Sequence, residues 1–269
     1  MIKSQEAYPT DLNDTEWAQI APYFPGPSST GSPRIYPWRV IMNGIFNIVK
    51  NGCTWRALPH EYPGWQTVYY YFRLFQKEMR WETLNTTIWE ANRVKIGKEP
   101  HASAMIIDSQ SAKSAEGGEE RGFDGGKKVS GRKRTLVVDT LGLLVLAKVT
   151  AANVQDVHAG KQALEDLVKK PILLDRLKKI FADGGYRGEL VGWVQENLHS
   201  TLEIVLKLGE QKGFQILPKR WVVERTNAWI TRHRRMARDY ERLTQTSEAF
   251  LYIAMIRLGV RRLARPSSS

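Results

Sequence analysis

Two apolar, strand-like runs that each end on an aspartate restrict the fold of this chain most. The runs cover residues 103–108 and 179–183, and they end on Asp108 and Asp183. A helix-like segment lies between them, and a crossover helix returns a chain parallel to its earlier neighbour, so we expect adjacent parallel strands. Open α/β sheets gather their ligands at the carboxyl ends of parallel strands. The pattern therefore predicts two carboxylates side by side at one edge of a sheet.

The rest of the second half alternates between strand and helix patterns. Two β-rich runs joined at residues 139–142 form a predicted hairpin, and the glycine-rich segment 115–128 before it is a predicted mobile loop. The other predicted elements are a helix over 156–170, a helix over 188–198, a strand over 201–208, a long helix over 218–238 and a last helix over 247–264. Together they predict an α/β fold with a mixed sheet flanked by helices.

The first hundred residues have a helical pattern. Predicted helices over 38–51 and 65–78 form a helix-turn-helix-like arrangement. In this interpretation the residues available to a DNA groove are Gln66, Thr67, Tyr70 and Arg73. A second interpretation stays open, because the second helix also carries a stripe that is typical of a hydrophobic core: Tyr69, Phe72, Leu74 and Phe75.

Length and composition bound the architecture. With 269 residues and 42% hydrophobic content, we expect a small all-α domain over residues 1–100 followed by an α/β domain over residues 101–269. No run approaches the roughly 18 apolar residues that cross a bilayer, and the N-terminal segment lacks the apolar centre of a signal peptide. We therefore expect a cytoplasmic protein with no membrane partner. Cys53 is the single cysteine, which excludes an internal disulfide and a cysteine-based metal cluster.

The positive charge of the chain is concentrated near its end. The net charge is +12, and residues 211–269 hold 13 Lys and Arg against 4 Asp and Glu. Such an asymmetry indicates a surface for a polyanion, since each phosphate that a cation neutralises releases counterions. A basic protein without such a partner remains the alternative.

Glu224 is the third candidate carboxylate. On a helix with 3.6 residues per turn it shares a face with Trp221, Ala228 and Thr231, which predicts that this acid is carried into the protein. In the alternative interpretation, Glu224 is a surface residue paired with Arg220 one turn earlier.

Two other aspartates receive structural interpretations. Asp139 ends a strand antiparallel to the first one and is therefore predicted to face away from Asp108, in a turn. Asp156 is predicted to be a helix N-cap, although His158 nearby leaves a supporting role in a site open.

A bound cation would relieve the repulsion between neighbouring carboxylates. Asp108, Asp183 and Glu224 offer oxygen donors, which suit a hard cation such as Mg²⁺. Two such ions can activate a nucleophile and stabilise the leaving oxygen of a phosphoryl displacement. Basic side chains surround the predicted site and indicate a nucleic-acid substrate: Lys127, Lys128, Arg132, Lys133 and Arg134 in one segment, and Arg220, Arg225, Arg232 and Arg235 in the long helix.

Several sequence blocks follow one another in a familiar order. They are "IIDSQSAK", "FDGGKKVSGRKRTLVVDTLGLL", "FADGGYRG", "GFQILPKRWVVERTNAW" and "RDYERL". They resemble the bacterial insertion-sequence transposases of the DDE class, specifically the insertion-sequence-five group, and the front helical segment is similar to that group's DNA-binding region. The resemblance covers roughly residues 8–265. It implies a ribonuclease-H-like catalytic domain in which Asp108, Asp183 and Glu224 bind the metal ions.

Two positions differ from that group's pattern. Leu217 and Thr231 occupy the places of a tyrosine and a lysine, whereas Arg220 matches the pattern's arginine. Arg232 or Arg235 is the expected substitute for the lysine in gripping phosphate.

The resemblance also implies an activity. The expected reaction is cleavage at the terminal inverted repeats of an insertion sequence, followed by transfer of the 3′ ends into target DNA. The implied cofactor is a pair of Mg²⁺ ions, with Mn²⁺ as a substitute, and the implied partners are double-stranded DNA and a second copy of the chain, at the nucleoid. Two alternatives stay open: a structure-selective nuclease or resolvase that cuts without joining, and a DNA-binding regulator without chemistry.

Overall fold

The computed structural model describes residues 8–26, 34–115, 117–205 and 220–266. The chain begins with four helices: α1 (Asp14–Ile20), α2 (Trp38–Asn51), α3 (Trp65–Lys77) and α4 (Arg80–Lys95). The helices predicted over 38–51 and 65–78 are confirmed. Gly52 ends α2 in the left-handed conformation, with φ of 76°, which a glycine adopts without steric cost.

The second half contains six strands and four helices within the described ranges. The strands are β1 (Ala104–Lys113), β2 (Gly122–Asp124), β3 (Val129–Asp139), β4 (Leu144–Ala151), β5 (Lys179–Ala182) and β6 (Thr201–Ile204). The helices are α5 (Asp156–Val168), α6 (Glu189–Leu198), α7 (Arg220–Thr231) and α8 (Thr244–Ala264). This is the mixed α/β architecture that the sequence predicted.

The strands form one mixed sheet. The strand order along its main path is β2, β3, β1, β5, β6. Strand β2 pairs with the start of β3, and β4 pairs with the rest of β3. β1 pairs antiparallel with β3 and parallel with β5, and β5 pairs parallel with β6. The predicted parallel neighbours and the predicted hairpin, now β3 and β4, are therefore confirmed.

Two predicted segments require correction. The segment 115–128 contains strand β2, because residues 122–124 pair with the start of β3 at residues 129–131. Strand β1 continues to Lys113, five residues beyond Asp108, because its whole length pairs with β3. The carboxylate of Asp108 therefore lies within a strand that continues past it.

The two faces of the sheet belong to different hydrophobic clusters. Ile106 and Leu136 are buried with residues of α2, α3, α7 and α8, whereas Ile107 and Val137 are buried with residues of α5 and α6. Alternate side chains of a strand point to opposite faces, so this pattern assigns each residue of β1 and β3 to a face. We call these the α8 face and the α5 face.

The N-terminal helices share the cluster on the α8 face. Phe72 of α3 is fully buried and stacks on Phe250 of α8, with ring centroids 5.0 Å apart. Asn92 of α4 donates a hydrogen bond to the carbonyl of Gly259 in α8 at 3.1 Å. The front helices and the sheet are therefore packed around a common helix, α8.

Candidate active site

The register of β1 and β5 brings two aspartates level with each other. Met105 pairs with Ile180 and Ile106 with Phe181. Continued by two residues, the same register places Asp108 beside Asp183, which directly follows the end of β5. Both side chains are half-buried. The parallel pairing of β1 with β5 therefore supports the expectation that the two aspartates are neighbours.

Both aspartates belong to the α8 face. Asp108 lies opposite Leu136 in the β1–β3 register, and residues directly opposite in an antiparallel pair point to the same face. Asp183 is two residues beyond Phe181, which is buried in the cluster of the α8 face. Helix α7 contributes Val223 and Ile230 to that cluster and packs against β1. The helix that carries Glu224 therefore covers the face on which the aspartates lie.

A tight turn holds Asp183. Its Oδ1 accepts a hydrogen bond from the backbone N–H of Gly185 at 2.8 Å, at the start of a short 3₁₀ turn over residues 184–186. A methyl group added to Gly185 would lie 3.1 Å from Asp183 Oδ1 and 3.5 Å from Asp156 Oδ2. A second carboxylate, that of Asp156, thus flanks the same glycine.

The predicted capping role of Asp156 is wrong. The N-cap of α5 is Gln155, and Asp156 is the first helical residue. Its carboxylate pairs with Lys133, whose ammonium is buried. The residue is not available as a cap because this ion pair turns the side chain towards β3.

A chain of buried hydroxyls lies under the aspartates on the α5 face. Ser109 Oγ lies 2.7 Å from Tyr186 Oη and 2.8 Å from Thr135 Oγ1. Burial raises the pKa of Tyr186 far above its usual value, and the charge of Asp108 raises it further. The phenol therefore remains protonated and fixes the turn after β5 to strand β1. This role was not predicted from the sequence, where its signal is the tyrosine that follows the two glycines after Asp183.

The prediction that α7 carries Glu224 into the protein is wrong: Glu224 is exposed, because it lies with Trp221 and Ala228 on the solvent side of α7. The helix is docked at a hairpin turn: Thr226 Oγ1 donates to the carbonyl of Gly142 at 2.7 Å, and Arg225 Nη2 donates to that of Leu141 at 3.0 Å. Among the described residues no three Asp, Glu, His or Cys side chains meet closely enough to hold a metal ion. The register of β1 and β5, continued by two residues, thus aligns Asp108 with Asp183, whereas Glu224 stands on the helix that covers their face.

The long helix predicted over 218–238 is shorter than expected. Helix α7 ends at Thr231, and a 3₁₀ turn follows over residues 234–236. His233, between them, has extended backbone angles. The break allows the Met236 carbonyl to accept a hydrogen bond from Arg134 Nη1 at 2.7 Å. Leu217 and the residues before α7 lie outside the described ranges.

Comparison with known proteins identifies the family. Residues 99–258 match the family described as "Transposase DDE domain". The chain belongs to this family. The family predicted from the sequence blocks is therefore confirmed.

Two further comparisons agree with membership of the DDE transposase family. Residues 12–85 match the family described as "Putative transposase of IS4/5 family". A putative transposase for insertion sequence element IS402 of Burkholderia cepacia is 31% identical over 127 residues, which is 45% of this chain and 59% of that protein. No solved structure matches the chain. In the described ranges of this family member, no helix is long and apolar enough to cross a membrane.

The basic segment 127–134 of this DDE transposase family member is largely interior. Lys127 and Lys128 are exposed, and Lys127 Nζ donates to the carbonyl of Ser109 at 3.0 Å. Arg132, Lys133 and Arg134 are buried. The prediction of a surface cluster is therefore corrected: β3 carries these three cations into the protein because it is a central strand of the sheet.

The other predicted DNA-contacting cations have different surroundings. Arg225 is half-buried between the rings of Trp221 and Trp229, at 4.3 and 4.7 Å from their centroids. Arg232 is exposed, whereas Arg235 is buried and paired with Glu241 at 2.7 Å. The side chain of Arg220 lies outside what the structure describes.

Helix α3 accommodates both interpretations of its sequence. Phe72 and Phe75 are buried in the core, as the aromatic stripe predicted. Gln66 is exposed and Tyr70 is 60% exposed on the outer face, while Thr67 and Arg73 are half-buried and complete the set predicted to face DNA. The core stripe and the outer face are two sides of one amphipathic helix.

We expect Gly142→Ala to weaken the docking of α7. Gly142 has φ of 76°, and a methyl group there would lie 2.8 Å from Thr226 Oγ1 and 3.0 Å from the ring of Trp229. Left-handed strain and this clash should together lower the free energy of unfolding by about 2–3 kcal/mol. Urea denaturation measures the change.

Gly97→Ala is the matched control for that substitution. Gly97 has φ of 73° but nothing within 4 Å of an added methyl group. Its free energy of unfolding should fall only by the cost of the left-handed backbone, about 1 kcal/mol. Equal losses at the two positions would show that the contact between Gly142 and α7 contributes nothing.

Proposed function

We propose that this chain is an insertion-sequence transposase that cleaves DNA at terminal inverted repeats and transfers the 3′ ends into target DNA. Asp108, Asp183 and Glu224 are its proposed catalytic and metal-binding residues. The observation that supports the proposal is the parallel pairing of β1 with β5, whose register, if continued by two residues, pairs Asp108 with Asp183. Two adjacent carboxylates repel each other unless a cation joins them.

The donor set fits Mg²⁺, with Mn²⁺ as a substitute. Carboxylate oxygens are hard ligands, and both Asp108 within β1 and Asp183 after β5 are only half-buried. When bound, a pair of such ions activates the attacking hydroxyl and stabilises the leaving oxygen of a phosphoryl displacement. The same carboxylates serve first the hydrolysis and then the transfer step.

Glu224 completes the site in this proposal when DNA is bound. Its helix already packs against β1, the strand that contains Asp108. The docking contact of Thr226, two residues later on the same helix, holds α7 at that place. With α7 held there, the proposed movement that completes the site is that of the exposed Glu224 side chain.

Cations near the site supply the proposed DNA contacts. They are Lys127, Lys128, Arg220, Arg225 and Arg232, which position backbone phosphates without reading sequence. The outer face of α3 is the proposed reader of the inverted repeats: Gln66, Thr67, Tyr70 and Arg73. Because two ends meet one target, we propose that a homodimer forms in the DNA complex, at the nucleoid.

A strand-transfer assay tests the proposed function. A labelled duplex carrying the inverted repeat that flanks the coding region is incubated with the protein, Mg²⁺ and a target plasmid. We expect a labelled product joined to the plasmid, and none when a chelator replaces Mg²⁺. Cleavage without joining would instead indicate the nuclease or resolvase, and binding without cleavage would indicate the regulator.

A further inference from the structure

Two neighbouring buried arginines of β3 differ in how their donors are used. All three guanidinium nitrogens of Arg132 donate, to the carbonyls of Glu119, Glu241 and Arg242 and to the carboxylate of Asp239. Arg134 donates through Nη1 to Met236, while its Nε and Nη2 are buried without a hydrogen-bond partner. A buried charged donor without a partner is costly, which makes Arg134 exceptional.

Arg134 is strongly desolvated. Its side chain is 2% exposed, and burial lowers its pKa. The nearest acids that favour its charge, Asp239 and Glu241, already hydrogen-bond to Arg132 and Arg235 respectively. The guanidinium therefore has part of its charge compensated at a distance, and two of its nitrogens remain unsatisfied.

A cleft opens beside this guanidinium. It has a volume of about 520 Å³, and Arg134 lines it together with Gln110, Thr231, Arg238 and Tyr240. Arg238 is exposed and Tyr240 is 49% exposed, so both side chains lie on the solvent side of the cleft. The cleft thus combines an unsatisfied internal cation with a second cation at its rim.

The cleft lies next to the proposed catalytic aspartates. Gln110 is directly opposite Arg134 in the β1–β3 register, two residues after Asp108. Residues two apart in a strand point to the same face, so Arg134 shares the α8 face with Asp108. Asp108 and Arg134 are diagonal neighbours across β1 and β3, about 7–8 Å apart, which is comparable to the distance between neighbouring phosphates of a DNA strand.

We propose that this cleft is a subsite for a backbone phosphate of the DNA strand and that Arg134 binds the anion there. The phosphate belongs to a nucleotide within about two positions of the bond that is cut. Its oxygens reach Nε and Nη2 once Arg238 and Tyr240 move aside, and a guanidinium presents two parallel donors to a phosphate. The assignment of the ligand to DNA rests on the proposed function, whereas the anion site itself does not.

The test compares Arg134→Met with Arg132→Met. Methionine keeps much of the side-chain volume and removes the charge. Without any anion, Arg134→Met should leave the thermal unfolding midpoint unchanged or raise it, because a costly buried cation is lost. Arg132→Met should lower the midpoint by on the order of 10 °C, because it leaves Asp239 without its counter-ion.

Ligand binding provides the second measurement. Inorganic phosphate should raise the unfolding midpoint of the wild-type protein and not that of Arg134→Met. The binding constant K of a fluorescent DNA duplex of arbitrary sequence is measured at several salt concentrations. The slope of log K against log salt should be smaller in magnitude by roughly 0.9 for Arg134→Met than for the wild-type protein. A stabilising effect of phosphate with an unchanged DNA slope would overturn the assignment to DNA.

The remaining outcomes are also decisive. If Arg134→Met unfolds or loses stability as Arg132→Met does, Arg134 is structural and the subsite is refuted. Asp183→Asn tests the chemistry and should leave the salt slope unchanged. A third outcome would separate the two proposals. If the wild-type protein never cleaves DNA but Arg134→Met still reduces the slope of log K against log salt, the transposase function is refuted and the phosphate subsite is supported.

Discussion

Asp183→Asn should abolish Mg²⁺-dependent cleavage of DNA while the protein still binds DNA. Metal-ion stabilisation of a transition state contributes several kcal/mol, so we expect a loss on the order of 10³-fold or more. Asparagine keeps the oxygen that accepts the hydrogen bond from Gly185, so the turn after β5 is preserved. What disappears is the negative charge beside Asp108.

The measurement pairs a cleavage assay with a binding assay. Strand cleavage is followed on a labelled inverted-repeat duplex, and binding is followed by fluorescence anisotropy on the same duplex. Asp175→Asn is the control, since Asp175 contacts His101 and its side chain is 50% exposed. It should cleave at close to the wild-type rate. Cleavage retained by Asp183→Asn would refute the assignment of the site.

Asp139→Ala should cause the largest loss of stability. The Asp139 carboxylate is fully buried and pairs with Arg93 at 2.6 Å, and its other oxygen accepts the backbone N–H groups of Leu141 and Leu143 at 2.9 Å. Removing it leaves a buried guanidinium without a counter-ion. Breaking one partner of a buried pair costs about 3–5 kcal/mol.

Urea denaturation of Asp139→Ala and Asp14→Ala checks this expectation. Asp14 also forms an ion pair, with Arg39, but its side chain is 95% exposed. An exposed pair contributes at most about 1 kcal/mol. Losses of similar size in the two variants would mean that the ion pair of Asp139 does not secure α4 to the sheet.

Asp139 shows which structural features the local sequence can predict and which it cannot. Its position at the end of a β-rich run before Thr140, Leu141 and Gly142 predicted a turn, and both backbone hydrogen bonds of that turn are present. Its ion pair with Arg93, in a helix 46 residues earlier, was not predictable. A turn depends on adjacent residues, whereas the partner of a buried charge depends on which helix packs there.

The basic segment 127–134 shows the same difference between local features and contacts with distant segments. The composition indicated a cationic surface, but Arg132 and Arg134 occupy a strand covered by residues 234–242. Their burial follows from the approach of Asp239, more than 100 residues away in the chain. Nothing next to these arginines in the sequence marks the segment that covers them.

Most strands and helices, the parallel pairing of β1 with β5 and the family could be predicted from the sequence, because alternation, crossover helices and motifs are local properties. The folded chain was needed to show strand β2, the exposure of each charge, the pair of Asp156 with Lys133 and the unused donors of Arg134. The reason is physical: burial and counter-ions are set by contacts between distant segments, and those contacts exist only once the core has formed.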